Sequence, residues 1–182
     1  MKRNAEKLTV FLIIAALSIF TTVATASAGS TSIKGHYALS GFTSCTVGGS
    51  PADPGILEAD YTFNKDGTGS ATGWVRMIPN PSYSYVTLDF TYTVTEGRIE
   101  FAYPWGGFKV YAPDQETYLF QWDAAMSHGV ISPDGKTMTI SCGPPLGLTV
   151  IESPLGPPVG THGFCVTTLV GMRVHDKKWE WD

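Results

Sequence analysis

The sequence predicts an all-β fold: an antiparallel up-and-down β-barrel of about eight to ten strands, with a two-sheet β-sandwich as the alternative. Three observations point there. Pro or Gly interrupts nearly every candidate helical window. Apolar and polar residues alternate along most of the chain. Short turns ending in glycine separate the alternating runs: NKDG at 64–67, TEG at 95–97 and SPDG at 132–135. In each, the glycine supplies the positive φ that a tight hairpin needs.

Ten strands follow from this pattern, at 33–45, 56–63, 68–78, 85–94, 98–103, 108–111, 117–132, 136–142, 148–152 and 164–174. The first alternates Ile33, Tyr37 and Leu39 with small polar residues and ends at Cys45. The second sets Leu57, Ala59, Tyr61 and Phe63 against Glu58 and Asp60, one dry face and one wet face. NKDG turns the chain into the third. The fourth is the clearest, with Val86, Leu88, Phe90, Tyr92 and Val94 on one side and Thr87, Asp89, Thr91 and Thr93 on the other. TEG leads to the fifth. The fifth and sixth flank PWGG at 104–107 and read either as a pair or as one bent strand. The seventh places Phe120, Trp122, Ala124, Met126 and His128 on one apolar face. SPDG opens the eighth, which ends at Cys142, and the ninth is short. The last has Phe164, Val166, Val170, Met172 and Val174 on its drier, even-numbered face.

The ends lie outside this pattern. Lys2, Arg3 and Lys7 precede an apolar run at 8–24, and small residues at Ala24, Ala26 and Ala28 fit a cleavage site. Residues 1–28 are expected to be a signal peptide, 29–175 a single β-barrel domain and 176–182 a C-terminal tail carrying Trp179 and Trp181. The net charge of −4 for the whole chain becomes −6 without the leader. That unclustered acidity argues against nucleic acid as a partner. No second long apolar run exists to span a membrane once the leader is removed. An exported protein, periplasmic or extracellular, is expected.

Export makes a disulfide plausible among Cys45, Cys142 and Cys165, the three cysteines of the chain. Alternating strand directions put Cys45 and Cys165 on one rim and Cys142 at the other end. A closed meander makes the first and last strands neighbours, because closure removes exposed edges. A Cys45–Cys165 bond is therefore expected to clamp the seam. If the two cysteines face each other, Tyr37 faces Arg173, a pairing that would allow a cation–π contact. The drier faces conflict: odd residues in the first strand, even ones in the last. Either a bulge at Gly35, Gly41 or Gly171 shifts a strand, or the register is off by one.

Two resemblances emerge from these residues. Gly35-His36-Tyr37 with Arg173 resembles the calycin pattern of lipocalins, with tyrosine where those proteins carry tryptophan. That likeness implies a cup holding a small apolar molecule. The wider layout is similar to a set of uncharacterised secreted bacterial β-barrel proteins. They share an early G-x-Y…C strand, an F-x-x-DGTG hairpin (63–69 here), a G-x-IS-x-DGKT hairpin (129–137 here) and a late cysteine, Cys165. These motifs describe turns and so imply architecture rather than activity.

Catalytic chemistry is not visible. The chain has no H-E-x-x-H, no G-x-S-x-G and no Walker loop, and GTGSATG at 67–73 lacks the spacing and the following helix of a nucleotide site. His36, His128, His162 and His175 are scattered, so neither metal nor cofactor is expected. Glu58 and Asp60 share one strand face and read as surface. Aromatic residues are more suggestive, because a ring serves both stacking and packing. Tyr85, Tyr103, Trp105, Trp122 and His128 are the candidate ligand-binding residues, with Tyr83 and Phe108 near the same rim. The expected role is non-enzymatic binding of a small apolar or aromatic ligand in the barrel. The alternatives are a structural or surface-interaction protein with a packed core and, last, an enzyme working at the barrel mouth.

Overall fold

The structure, a computed structural model, describes residues 33–49, 53–78, 83–124, 127–142 and 146–174. The expected signal peptide and the tail at 176–182 lie outside the described residues. Eleven strands are present: β1 (Gly35–Val47), β2 (Asp53–Phe63), β3 (Thr68–Met77), β4 (Tyr83–Thr95), β5 (Arg98–Ala102), β6 (Phe108–Tyr111), β7 (Tyr118–Ala124), β8 (Ser127–Ile131), β9 (Thr137–Ser141), β10 (Leu146–Glu152) and β11 (His162–Val174).

Eight of them close an antiparallel barrel in the order β1-β2-β3-β4-β5-β8-β9-β11, sealed by the β1–β11 pairing. The other three, β6, β7 and β10, sit outside that ring and form a second bridge from β4 to β11. Both β5 and β6 pair antiparallel with β4, so they run the same way along it. PWGG is thus a break part-way along the wall, not a hairpin at a rim. The single strand expected at 117–132 is likewise divided into β7 and β8.

Turn chemistry behaves as expected at the three glycine-ended hairpins. Glu96 and Gly97 both take positive φ (51° and 76°), the pair of conformations a two-residue type I′ hairpin requires. Gly67 and Gly135 adopt φ of 82° and 66°.

The interior is built from rings. Phe63 touches Tyr37, Phe90 and Tyr92 at centroid separations of 5.4, 5.3 and 5.1 Å, and Phe90 meets Phe101 at 5.3 Å. These rings fill the lower half together with Ile99, Ile131, Met138, Ile140 and Leu169. A second cluster around Val86, Val110, Trp122, Leu148, Val150 and Cys165 fills the upper half. Each fully buried aliphatic or aromatic side chain contributes on the order of 1.5–3 kcal/mol of transfer free energy. The outward faces of β2 to β5 carry Glu58, Asp60, Arg76, Asp89, Arg98 and Glu100, all exposed.

The seam has the expected register: Cys45 pairs with Cys165 and Tyr37 with Arg173, without a break from residue 36 to 47. The disulfide joins Cys45 to Cys165. Neither a bulge nor a one-residue slip occurs in this pairing; the conflict of faces resolves because the apolar even residues of β11 face outward. Odd residues of β11 point inward, and Phe164, Val166, Val170 and Met172 are exposed on the outer wall. Glycine explains why the inward face looks poor in side chains. A Cβ at Gly41 would lie 2.0 Å from the Thr168 carbonyl oxygen, and one at Gly171 would lie 2.4 Å from that of Ala38. The strands approach too closely there for any side chain.

Cys142 is buried and free, but not at the far end of the barrel. Its N–H donates to the Thr167 carbonyl at 3.0 Å, two residues from the disulfide's Cys165 along β11. The chain continues past residue 142 into β10 on the same wall, so residue 142 lies at mid-height.

Candidate functional site

Outside the upper half of the barrel, four aromatic side chains form one row across four neighbouring strands. Parity places them there. In β4 the even residues Val86, Leu88 and Phe90 are buried, which turns Tyr83 and Tyr85 outward. In β3 the buried positions are Gly69, Ala71 and Gly73, which leaves Trp74 outside. Val110 is buried in β6, so Tyr111 points out. In β7 the register shifts between the pairs Val110–Phe120 and Tyr111–Tyr118. That bulge carries Tyr118 to the outer face beside Tyr111, although Trp122 on the same strand is buried.

Register then brings the rings together. Trp74 pairs with Tyr85, Tyr85 with Tyr111 and Tyr111 with Tyr118. Ring centroids follow one another at 5.1, 6.3 and 5.7 Å. Tyr83 extends the upper end, 5.5 Å from Trp74. Cross-strand aromatic contacts of this kind stabilise a sheet face by roughly 0.2–1 kcal/mol each, and here they leave the rings only part-covered.

A polar row runs alongside, formed by the paired residues Thr87, Lys109, Gln121 and Glu152. The Tyr118 hydroxyl lies 3.2 Å from Glu152 Oε2 and 3.3 Å from Gln121 Oε1. Desolvation, and then the Glu152 carboxylate, push the Tyr118 phenol up to about 12, so it remains a neutral donor throughout the physiological range. The Gln121 amide donates to the Gly106 carbonyl. That bond ties the PWGG link to the wall and sets Trp105, 76% exposed, close to the polar row.

The five residues expected from sequence do not converge. Tyr85 belongs to the row, and Trp105 stands near it on the same wall. Trp122 is buried in the upper core, edge-on to Phe120 at 5.2 Å. Tyr103 packs against the lower core, where its hydroxyl and that of Ser127 hydrogen-bond each other. Burial holds the Tyr103 phenol well above its ordinary value. His128 is exposed, not on an apolar inner face: Ser127, Gly129 and Ile131 are the buried residues of β8. Parity reverses between Trp122 in β7 and Ser127 in β8, and the alternation read straight through 120–128 could not register that break.

Trp74, Tyr111 and Tyr118 were missed. A signal existed for two of them. Tyr111 and Tyr118 flank a turn in which the Asp114 carboxylate accepts from the Glu116 and Thr117 N–H groups, and such an Asx turn pairs the residues on either side.

Among the described residues no group of three His, Cys, Asp or Glu side chains could hold a metal ion, and no helix is long and apolar enough to cross a membrane. Family models, curated proteins and solved structures contain no match to this chain.

Proposed function

We propose that the protein is an exported, non-enzymatic binding protein whose packed barrel is a scaffold and whose ligand lies on the outer aromatic row. One observation carries this reading. The rings inside the barrel touch one another, whereas Trp74, Tyr83, Tyr85, Tyr111 and Tyr118 turn a contiguous aromatic strip outward. Part-exposed rings offer stacking area, and the hydrogen-bonding side chains beside them offer a means of orienting what stacks there. The lipocalin likeness would put an apolar molecule inside the cup, where Phe63, Phe90 and Phe101 now stand. The charged outward faces of β2 to β5 are unlike the apolar outer band of a lipid-spanning barrel, which favours a role in aqueous surroundings.

Native mass spectrometry of the protein purified from its source tests this reading. A co-purifying compound should be lost from a Trp74→Ala/Tyr85→Ala variant. A compound that the variant retains, and that leaves only on unfolding, would place the ligand in the barrel instead.

A further inference from the structure

We propose that the row binds a neutral glycan chain laid across β3, β4, β6 and β7. The inference rests on the outer-wall reading and names its ligand class. A sugar ring has an apolar C–H face, which stacks on an aromatic ring, and a rim of hydroxyls, which needs donors and acceptors. The wall offers both in parallel rows. Trp74, Tyr85, Tyr111 and Tyr118 give the stacking row, while Lys109, Gln121 and Glu152 give the hydrogen-bonding row two to three residues along the same strands or the next.

The row is linear and crosses the strands, with ring-to-ring steps of 5.1, 6.3 and 5.7 Å. Each step is comparable to one sugar unit of an extended chain, so a polymer fits this site better than a single ring. Successive ring planes are inclined by 60°, 54° and 56°. Inclined platforms suit a soluble chain that twists, not the flat face of a crystalline polysaccharide. Charge narrows the class further. Glu58, paired with Trp74, and Glu152 border the row, and Lys109 and Arg76, the latter paired with Tyr83, offset them. A wall with balanced charges gives a polyion no net attraction, and the polar row disfavours a lipid tail.

Affinity electrophoresis at neutral pH tests the proposal, in gels containing hydroxyethylcellulose, xylan, galactomannan or glycol chitin. The wild-type chain should be retarded in at least one of them, and crystalline cellulose should not deplete it from solution. Tyr85→Ala and Tyr111→Ala should each weaken the interaction about tenfold, the factor that follows from one lost stacking contact. Tyr85→Phe, which keeps the ring, should bind like wild type, and so should Val170→Ala on β11, across the barrel from β4. Thermal midpoints within about 5 °C of wild type show that the fold is intact. No retardation in any gel overturns the proposal, as does binding to heparin alone. A compound that co-purifies through the row but contains no sugar overturns the glycan and leaves outer-wall binding standing. Retardation unchanged in both alanine variants overturns the two together.

Discussion

Tyr37 and Arg173 face each other across the seam where the first and last strands meet. Both are tied to the β8–β9 turn as well. The Tyr37 hydroxyl donates to the Gly135 carbonyl at 2.6 Å, and the Arg173 N–H donates to the Lys136 carbonyl at 2.7 Å. The Arg173 guanidinium leans over Gly35, where a Cβ would lie 3.4 Å from Nη2. Closure of the lower rim therefore depends on three segments at once: the start of β1, the end of β11 and a hairpin tip between them in sequence.

Tyr37 is 1% exposed, and its two contributions separate by mutation. Tyr37→Phe should cost about 0.5–1.5 kcal/mol, the value of one hydrogen bond. Tyr37→Ala should cost about 3–5 kcal/mol, because the ring that meets Phe63 is lost as well. Urea unfolding at neutral pH checks both. Equal losses for the two variants would show that the ring contributes nothing.

The Cys45–Cys165 bond spans a sequence separation of 120 residues. Chain entropy credits such a loop with roughly 4–5 kcal/mol, as an upper figure. Cys45→Ser/Cys165→Ser should lower the denaturation midpoint and steepen the denaturant dependence, because the unfolded chain is no longer cross-linked. Non-reducing peptide mapping should join 45 to 165 and leave 142 as a thiol; any bridge to 142 contradicts the seam.

Leu169 and Val170 are adjacent in β11 but are 1% and 60% exposed. Leu169→Ala should cost about 2–5 kcal/mol. Val170→Ser should change stability by no more than about 0.5 kcal/mol, as surface substitutions do. The reverse order would mean that the strand is turned over. The same contrast tests whether Phe164, Val166 and Met172 line the outer wall.

Cys142 supplies a pH prediction. Burial pushes its thiol from the ordinary 9.0 up to about 11. Between those values the folded chain keeps the proton and the unfolded chain releases it. Stability should therefore fall as pH rises from about 9 to 11, and be unaffected by this group below 9. Burial raises the Tyr61 and Tyr103 phenols in the same sense, from 10.0 upward. Cys142→Ala should remove one proton's share of the slope in denaturation midpoints measured at pH 8, 9.5 and 11. At pH 8 iodoacetamide should label Cys142 only on unfolding; rapid labelling of the native chain would show the thiol to be exposed.

Much of the fold was legible locally. Alternation in β4 and the Asp-Gly hairpins depend only on neighbouring residues, and both expectations hold. The Cys45–Cys165 pairing was legible too, from alternating strand directions, whereas the register between β1 and β11 stayed open between a bulge and a one-residue slip. Faces were harder. The apolar stripe of β11 looked like a core face and is an outer wall, because Gly41 and Gly171 allow strands to approach where a core side chain would otherwise stand. The candidate site was hardest to read. Tyr118 reaches the row through a bulge, and His128 leaves the interior because parity reverses between β7 and β8.

Sequence alone determined the class of the protein: an antiparallel meander whose two ends meet at a bond between Cys45 and Cys165. Those features follow from period-two alternation and turn residues, which act over a few positions. Only the tertiary structure decided where β5, β7 and β9 break, which way β11 faces and which rings stand side by side. Such choices arise between strands distant in sequence, and a single-residue bulge is enough to reverse them.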